Sequence, residues 1–187
     1  MDTPATQMKQ TPEALPKKST LTSHEPTYLM SLALDEARKC TPSQAAFSVG
    51  AILVDLSVTP PSILATGFSR EREGNTHAEE VCFIKFTEDQ EIQSRVIGGF
   101  AIFTTMEPCT ERLSGKTSCF QRIVDFGRIS TVYVGCQEPS TFIAKNTAIS
   151  KFPANGIQYV FVKEMELDCW EVATRGHPSL PDDQTPS

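Results

Sequence analysis

The sequence has no uninterrupted apolar run that approaches the roughly 18 to 20 residues of a membrane-spanning helix, so we expect no membrane partner. It is also short of basic residues, because 17 Lys and Arg stand against 23 Asp and Glu and leave a net charge of −6. Proteins that bind nucleic acid neutralise several phosphates with clustered Lys and Arg. The charge balance therefore argues against nucleic acid as a partner, whereas a small anionic ligand needs only a local cationic pocket.

The first 26 residues contain no glycine and no apolar core of the kind that a secretory signal carries, so we expect a cytoplasmic protein. Cysteine occurs at six positions. In a reducing compartment, these cysteines predict buried thiols or metal ligands more than a disulfide framework. They are Cys40, Cys82, Cys109, Cys119, Cys136 and Cys169.

The chain of 187 residues has about the length of one domain, and its 39% hydrophobic and 21% charged residues are typical of a globular body. Prolines and scattered polar residues fill both ends, and all ten glycines lie between Gly50 and Gly176. Segments without an apolar face cannot form a packed core. We therefore expect a disordered or loosely ordered arm at 1–26, one folded domain at 27–177 and a flexible tail at 178–187.

Hydrophobic patterns predict four helices and five strands within the folded domain. The helices are expected at 28–39, 77–86, 119–126 and 164–175, and the strands at 47–56, 62–68, 100–105, 129–135 and 158–162. Pro60-Pro61 predicts a turn between the first two strands, which makes them a hairpin. The later alternation of strands and helices predicts an α/β fold, a three-layer α/β/α sandwich with a mixed five-stranded sheet.

Three residues that are far apart in the sequence fall at the ends of predicted elements. His77 opens a helix, Cys109 follows a strand and Cys119 opens another helix. In a sandwich of this order, such ends can converge on one point. One histidine and two thiolates form a zinc ligand set, and three protein ligands leave a fourth position for water, as in catalytic zinc sites. We therefore predict a catalytic Zn²⁺ ion held by these residues.

Two carboxylates follow His77 in the chain. Glu79 is predicted to transfer the proton, because a water molecule acidified by zinc needs an acceptor and a leaving amine needs a donor. Its neighbour Glu80 is expected to face solvent. A lone His-x-Glu occurs by chance in many chains, so this prediction depends on the two cysteines as well.

The segments GFSREREGNTHAEE (67–80) and TMEPCTERLSGKTSCFQRI (105–123) resemble the cytidine-deaminase-like superfamily of zinc hydrolases, whose signature is His-x-Glu followed by Pro-Cys-x-x-Cys. Here nine residues rather than two separate the cysteines, and this longer loop resembles that of the riboflavin-biosynthesis deaminases. The loop and the segment VGCQEPSTF (134–142) resemble the fungal branch, the diaminoribitylaminopyrimidinone phosphate deaminases. The resemblance covers 28–177 and implies that 27–177 is a zinc-dependent deaminase domain.

The resemblance implies His77, Cys109 and Cys119 as zinc ligands and Glu79 as the proton shuttle. It implies a small phosphorylated pyrimidine as the substrate and a homodimer as the assembly. The implied reaction converts 2,5-diamino-6-ribitylamino-4(3H)-pyrimidinone 5′-phosphate to 5-amino-6-ribitylamino-2,4(1H,3H)-pyrimidinedione 5′-phosphate plus ammonia.

A phosphate and a polyhydroxyl chain require cations and hydrogen-bonding groups near the metal. On the resemblance, we expect two cations for the phosphate, two residues for the ribityl hydroxyls and two for the ring. These are Arg112 and Lys116, Glu138 and Thr141, and Ser69 and Asn75, respectively.

Two other functions fit the same residues. One is another cytidine-deaminase-like enzyme that acts on a nucleoside or nucleotide. The acidic balance argues against tRNA, and the two cations of the loop between the cysteines argue against an uncharged nucleoside. The other is a non-catalytic zinc-binding partner protein, which would have no need of Glu79.

Overall fold

The computed structural model describes residue 21 and residues 24–96, 98–139 and 146–177. The predicted tail at 178–187, and all of the predicted arm at 1–26 except residues 21 and 24–26, lie outside the described residues. Within the described part of the chain, no helix is long and apolar enough to cross a membrane.

The described elements alternate largely as predicted. The helices are α1 (Glu25–Arg38), α2 (Ala78–Glu88), α3 (Gln90–Arg95), α4 (Cys119–Phe126), α5 (Ala148–Ala154) and α6 (Glu166–Ala173). The strands are β1 (Gly50–Asp55), β2 (Ser62–Phe68), β3 (Phe100–Met106), β4 (Ile129–Cys136) and β5 (Gln158–Phe161). A short 3₁₀ helix at Lys163–Met165 precedes α6.

The strands form one five-stranded sheet in the order β2-β1-β3-β4-β5. Strand β1 is antiparallel to both β2 and β3, whereas β3, β4 and β5 run parallel. The prediction of a mixed five-stranded sheet is therefore confirmed. Because of these directions, the start of β1 and the ends of β2, β3 and β4 meet at one edge of the sheet, where ligands bind in open α/β folds.

Both faces of the sheet are covered by helices, which gives the predicted three layers. Helices α1 and α6 pack on one face with Ile52 and Val54 of β1, and α2, α4 and α5 pack on the other with Ala51 and Leu53. Successive side chains of a strand point to opposite faces. The continuous apolar run of β1 is therefore required by burial on two sides.

Close packing of α2 on β2 depends on Gly67. A Cβ atom at this position would lie 2.6 Å from the carbonyl oxygen of Ala78, which is the first residue of α2. Any side chain here would push the start of this helix away from the sheet. The glycine thus fixes the position of the helix that His77 precedes.

Two helices were not predicted from the sequence. None of the six residues of α3 is buried, and α5 contains Pro153 near its end, so neither has an apolar periodicity over several turns. The predicted last helix at 164–175 is shorter and begins as a 3₁₀ turn. The predicted first strand at 47–56 extends only over Gly50–Asp55.

Candidate active site

The structure brings His77 to the metal centre as the residue that caps α2. His77 has an extended backbone (φ −89°, ψ 158°), and its N–H donates to the carboxylate of Glu80 at 3.4 Å. In a capping box, the side chain of the third helical residue accepts a hydrogen bond from the backbone N–H of the N-cap residue, as Glu80 does here. The imidazole is consequently held at the edge of the sheet.

The two cysteines reach the same point from β3 and α4. Cys109 lies three residues beyond the end of β3, and Cys119 is the first residue of α4. Ser118 caps this helix, because its hydroxyl accepts a hydrogen bond from the N–H of Gln121 at 3.2 Å. The N–H of Cys119 donates in turn to the sulfur of Cys109 at 3.4 Å.

The ligand atoms of His77, Cys109 and Cys119 all lie within 4.8 Å of one another. The Nδ1 atom of His77 is 3.6 Å from Cys109 Sγ and 3.3 Å from Cys119 Sγ. Ideal tetrahedral zinc with ordinary Zn–N and Zn–S bonds requires nitrogen–sulfur separations of about 3.5 Å. The donor set and its spacing therefore fit zinc, with a fourth position left for water.

Electrostatics prepare the two sulfurs for a cation. The hydrogen bond with Cys119 and the interactions with His77 lower the pKa of the Cys109 thiol to about 4, against the opposing effect of burial. The same hydrogen bond, burial and the negative charge of Glu79 raise the pKa of Cys119. The pKa values of the two thiols therefore shift in opposite directions. A divalent cation would bind both sulfurs as thiolates and displace any proton that they carry.

Glu79 lies directly beside the triad. Its side chain is buried, and one carboxylate oxygen is 3.3 Å from the sulfur of Cys119. The other oxygen is 3.3 Å from the hydroxyl of Thr104, which also donates to the carbonyl of Met106 at 2.9 Å. Burial raises the pKa of Glu79, although the charge of His77 opposes this rise. A carboxyl group in this position can both accept and return a proton.

A cavity of about 160 Å³ opens next to these groups. Its walls come from the segment before β1 and from the loops that follow β2, β3 and β4. Its lining includes two zinc ligands, the predicted proton shuttle and four of the predicted substrate contacts: His77, Cys109, Glu79, Ser69, Asn75, Arg112 and Glu138. The metal centre and the proton acceptor therefore face a space that can hold a small molecule.

Comparison with known proteins assigns this arrangement to a family. Residues 23–136 match the family described as the cytidine and deoxycytidylate deaminase zinc-binding region. The chain belongs to this family. The match confirms the predicted superfamily and fold and, with the His/Cys/Cys triad, the predicted zinc cofactor of the deaminase.

Individual relatives identify the branch of the family. The chain is 42% identical over 146 residues to the diaminohydroxyphosphoribosylamino-pyrimidine deaminase of Schizosaccharomyces pombe, an alignment that covers 78% of this chain and 34% of that protein. The chain thus spans about a third of this curated relative. The chain is also similar to the Aspergillus oryzae Rib2 deaminase, whose crystal structure at pH 4.6 superposes with a TM-score of 0.72 at 32% sequence identity. This match covers 83% of this chain and 93% of that chain.

The same Aspergillus oryzae enzyme in complex with DARIPP is 30% identical, with a TM-score of 0.70 and coverage of 81% and 91% of the two chains. The riboflavin-pathway branch predicted from the loop between the cysteines is therefore confirmed.

Among the described residues, Lys116 is the predicted substrate contact that does not line this cavity. The amine of Lys116 donates to the carbonyl of Gly74, on the loop that precedes His77. Thr141 lies outside the described residues. The lysine therefore contacts the protein rather than the interior of the cavity.

The prediction that Glu80 faces solvent is wrong. Glu80 is only 9% exposed and forms ion pairs with Arg112 at 3.0 Å and Arg122 at 2.7 Å. Burial opposes its ionisation, but the hydrogen bond from Arg112 and the charge of Arg122 outweigh this effect and lower the pKa of Glu80. The second terminal nitrogen of Arg112 donates to the carbonyl of Asn75 at 2.7 Å.

Glu138 is half-buried and lies two residues beyond the end of β4. Burial and the charge of Cys109 raise its pKa to about 8, although a hydrogen bond from Asn146 at 2.8 Å opposes the rise. The same amide of Asn146 donates to the carbonyl of Pro108 at 3.1 Å. Asn146 therefore connects Glu138 to the segment that carries the ligand Cys109.

Sequence reasoning missed three residues at the site: Thr104, Arg70 and Glu107. Arg70 and Glu107 line the cavity, and burial raises the pKa of Glu107. The sequence position of Glu107 could have indicated its place at the site, because Glu107 directly precedes Pro108 and the ligand Cys109. Arg70 had none, since its left-handed backbone (φ 65°) and its bonds to the carbonyls of Thr41 and Phe47 depend on the fold.

Proposed function

We propose that this chain deaminates 2,5-diamino-6-ribitylamino-4(3H)-pyrimidinone 5′-phosphate hydrolytically at C2, giving 5-amino-6-ribitylamino-2,4(1H,3H)-pyrimidinedione 5′-phosphate and ammonia. The observation that carries the proposal is a buried carboxylate, Glu79, beside a zinc-binding triad and in the wall of a small-molecule cavity. The likeness to a Rib2 deaminase that binds DARIPP supports the choice of a phosphoribosyl-pyrimidine type of substrate.

Water provides the oxygen atom of the product in this reaction. Zinc, when bound, lowers the pKa of a water molecule towards about 7. Glu79 accepts a proton from the attacking water and passes it to the nitrogen on C2. The water oxygen bonds to C2, the bond from C2 to the exocyclic nitrogen breaks and ammonia leaves. The second water proton ends on the neighbouring ring nitrogen as C2 becomes a carbonyl carbon. Burial of Glu79 favours this role, because a raised pKa allows the group to return the proton as well as to accept it.

The polar groups of the cavity can orient the rest of the substrate. Ser69 and Asn75 are proposed to contact the ring, and Glu138 the ribityl hydroxyls, because all three line the cavity that Glu79 lines. Arg112 is proposed to contact the phosphate through the N–H groups that Glu80 and Asn75 leave unused. Phosphate recognition by an arginine is strong because both groups are charged and several hydrogen bonds form at once.

A substrate panel tests this proposal by ammonia release. We expect turnover of the ribityl phosphate and none of cytidine or deoxycytidylate. Removing the phosphate from the ribityl substrate is expected to raise KM by about 10- to 100-fold, because a hydrogen bond to a charged group contributes roughly 1.5–3 kcal/mol. Activity on cytidine or deoxycytidylate without activity on the ribityl phosphate would contradict the proposed substrate and support the nucleoside or nucleotide alternative.

The proposal also covers the boundaries, assembly and location of the protein. The deaminase domain is proposed to comprise 27–177, to form a homodimer and to act in the cytoplasm. Sedimentation velocity at two concentrations is expected to give a species of twice the chain mass of 20.6 kDa. A species of single chain mass at both concentrations would contradict the dimer.

A further inference from the structure

Glu80 contacts His77, the loop between the two cysteine ligands and the helix that Cys119 opens. One carboxylate oxygen accepts a hydrogen bond from the backbone N–H of His77 at 3.4 Å and from Arg112 at 3.0 Å. The other oxygen accepts from Arg122 at 2.7 Å. Arg112 lies on the loop between the two cysteines, and Arg122 lies in the first turn of α4, which Cys119 opens.

These contacts are made where solvent has little access. The side chain of Arg112 is 2% exposed and that of Glu80 is 11% exposed, whereas that of Arg122 is 31% exposed. Charge-assisted hydrogen bonds in such surroundings are screened far less than those between exposed groups. Among the described residues, Glu80 is the carboxylate that pairs with both arginines, so its removal would leave two guanidinium groups without their counter-charge.

Arg112 extends the network to the far side of His77. Its second terminal nitrogen donates to the carbonyl of Asn75, two residues before the ligand. Together, Glu80 and Arg112 therefore hold the backbone on both sides of His77 against the loop between the cysteines. The three segments are separated by 32 and 42 positions along the chain, so local backbone geometry cannot fix their distances.

We infer that Glu80 is a positioning residue for the metal centre. Its carboxylate holds the His77, Cys109 and Cys119 segments at ligand distance and so slows the loss of zinc from the folded protein. It neither binds the metal nor contacts the substrate. Residues outside the ligand set commonly tune metal affinity in this way, since ligands that are already in place lose little freedom on binding.

The experiment measures zinc release from the folded holoprotein into an excess of a chromogenic chelator. We expect Glu80→Gln to accelerate release by about 10- to 100-fold, the range over which the loss of an outer partner lowers metal affinity. Glu88→Gln is the matched control, because Glu88 is on the same helix and pairs with an arginine but is 57% exposed. The control is expected to release zinc at the wild-type rate.

Arg122→Gln separates positioning from general stability, because Arg122 does not line the cavity and the substitution preserves Glu80. We expect faster release in this variant as well, and a double variant with Glu80→Gln that is no faster than Glu80→Gln alone. Release is measured well below the unfolding temperature, where a purely stabilising role would leave the rate unchanged. Wild-type release rates in both single variants, or additive effects in the double variant, would overturn the inference. If Glu80→Gln does not fold, the rate in Arg122→Gln alone decides.

Discussion

Substitution of Glu79 by glutamine is expected to lower kcat by roughly 10²- to 10⁴-fold while zinc remains bound, the range that general acid–base catalysis contributes. The amide has the shape of the carboxyl group and can keep the contact with Thr104, so the metal centre is not expected to open. It cannot accept a proton from water or return one to the leaving nitrogen. Ammonia release gives kcat, and metal analysis of the same sample gives the zinc content.

The outcome also separates an enzyme from a non-catalytic zinc-binding partner protein. A protein that uses zinc only for stability has no need of a buried carboxylate next to the triad. Glu88→Gln again provides the control, because it removes an exposed carboxylate at the other end of α2 and is expected to leave kcat unchanged. Undiminished turnover in Glu79→Gln would contradict the shuttle role, and loss of zinc from this variant would assign Glu79 to the integrity of the metal centre.

The elements that the sequence predicts best are those with strong local signals at their ends. Helix α4 has its predicted bounds because Ser118 caps its start and Gly127 ends it with a left-handed backbone (φ 69°). Strand β2 likewise has its predicted bounds after a proline turn. Helix α3 is capped by Asp89 but buries no side chain, so its sequence has no apolar stripe by which it could be found.

The site shows the same contrast between residues with a signal in the sequence and residues without one. His77, Cys109 and Cys119 could be predicted as a cluster because residue type restricts zinc ligands and because strand and helix ends converge at one edge of the sheet. The environment of Glu80 could not be predicted. Its burial results from arginines that approach from the loop between the cysteines and from α4, and no local pattern around Glu80 encodes such long-range pairs.

Substitution of Cys109 by serine is expected to weaken zinc binding by more than about 100-fold, beyond the range for outer partners, because it removes a ligand. A serine hydroxyl does not ionise near neutral pH and cannot replace the thiolate that the site provides. Metal analysis after dialysis against a chelator is expected to find little zinc in the variant, and ammonia release is expected to fall with it.

Thermal unfolding provides a second measurement of the same loss. A metal that binds only the folded state stabilises it by about 2.7 kcal/mol at a free concentration 100 times Kd. Added zinc is therefore expected to raise the Tm of the wild type and to have little effect on Cys109→Ser.

Cys82→Ser is the control, because Cys82 is buried on α2 and donates to the carbonyl of Ala51 at 3.3 Å, which a hydroxyl can also do. Since Cys109, unlike Cys82, contacts His77 Nδ1, zinc retention in Cys82→Ser together with its loss from Cys109→Ser would distinguish a ligand from a buried thiol. Full zinc content in Cys109→Ser would contradict the three-residue centre.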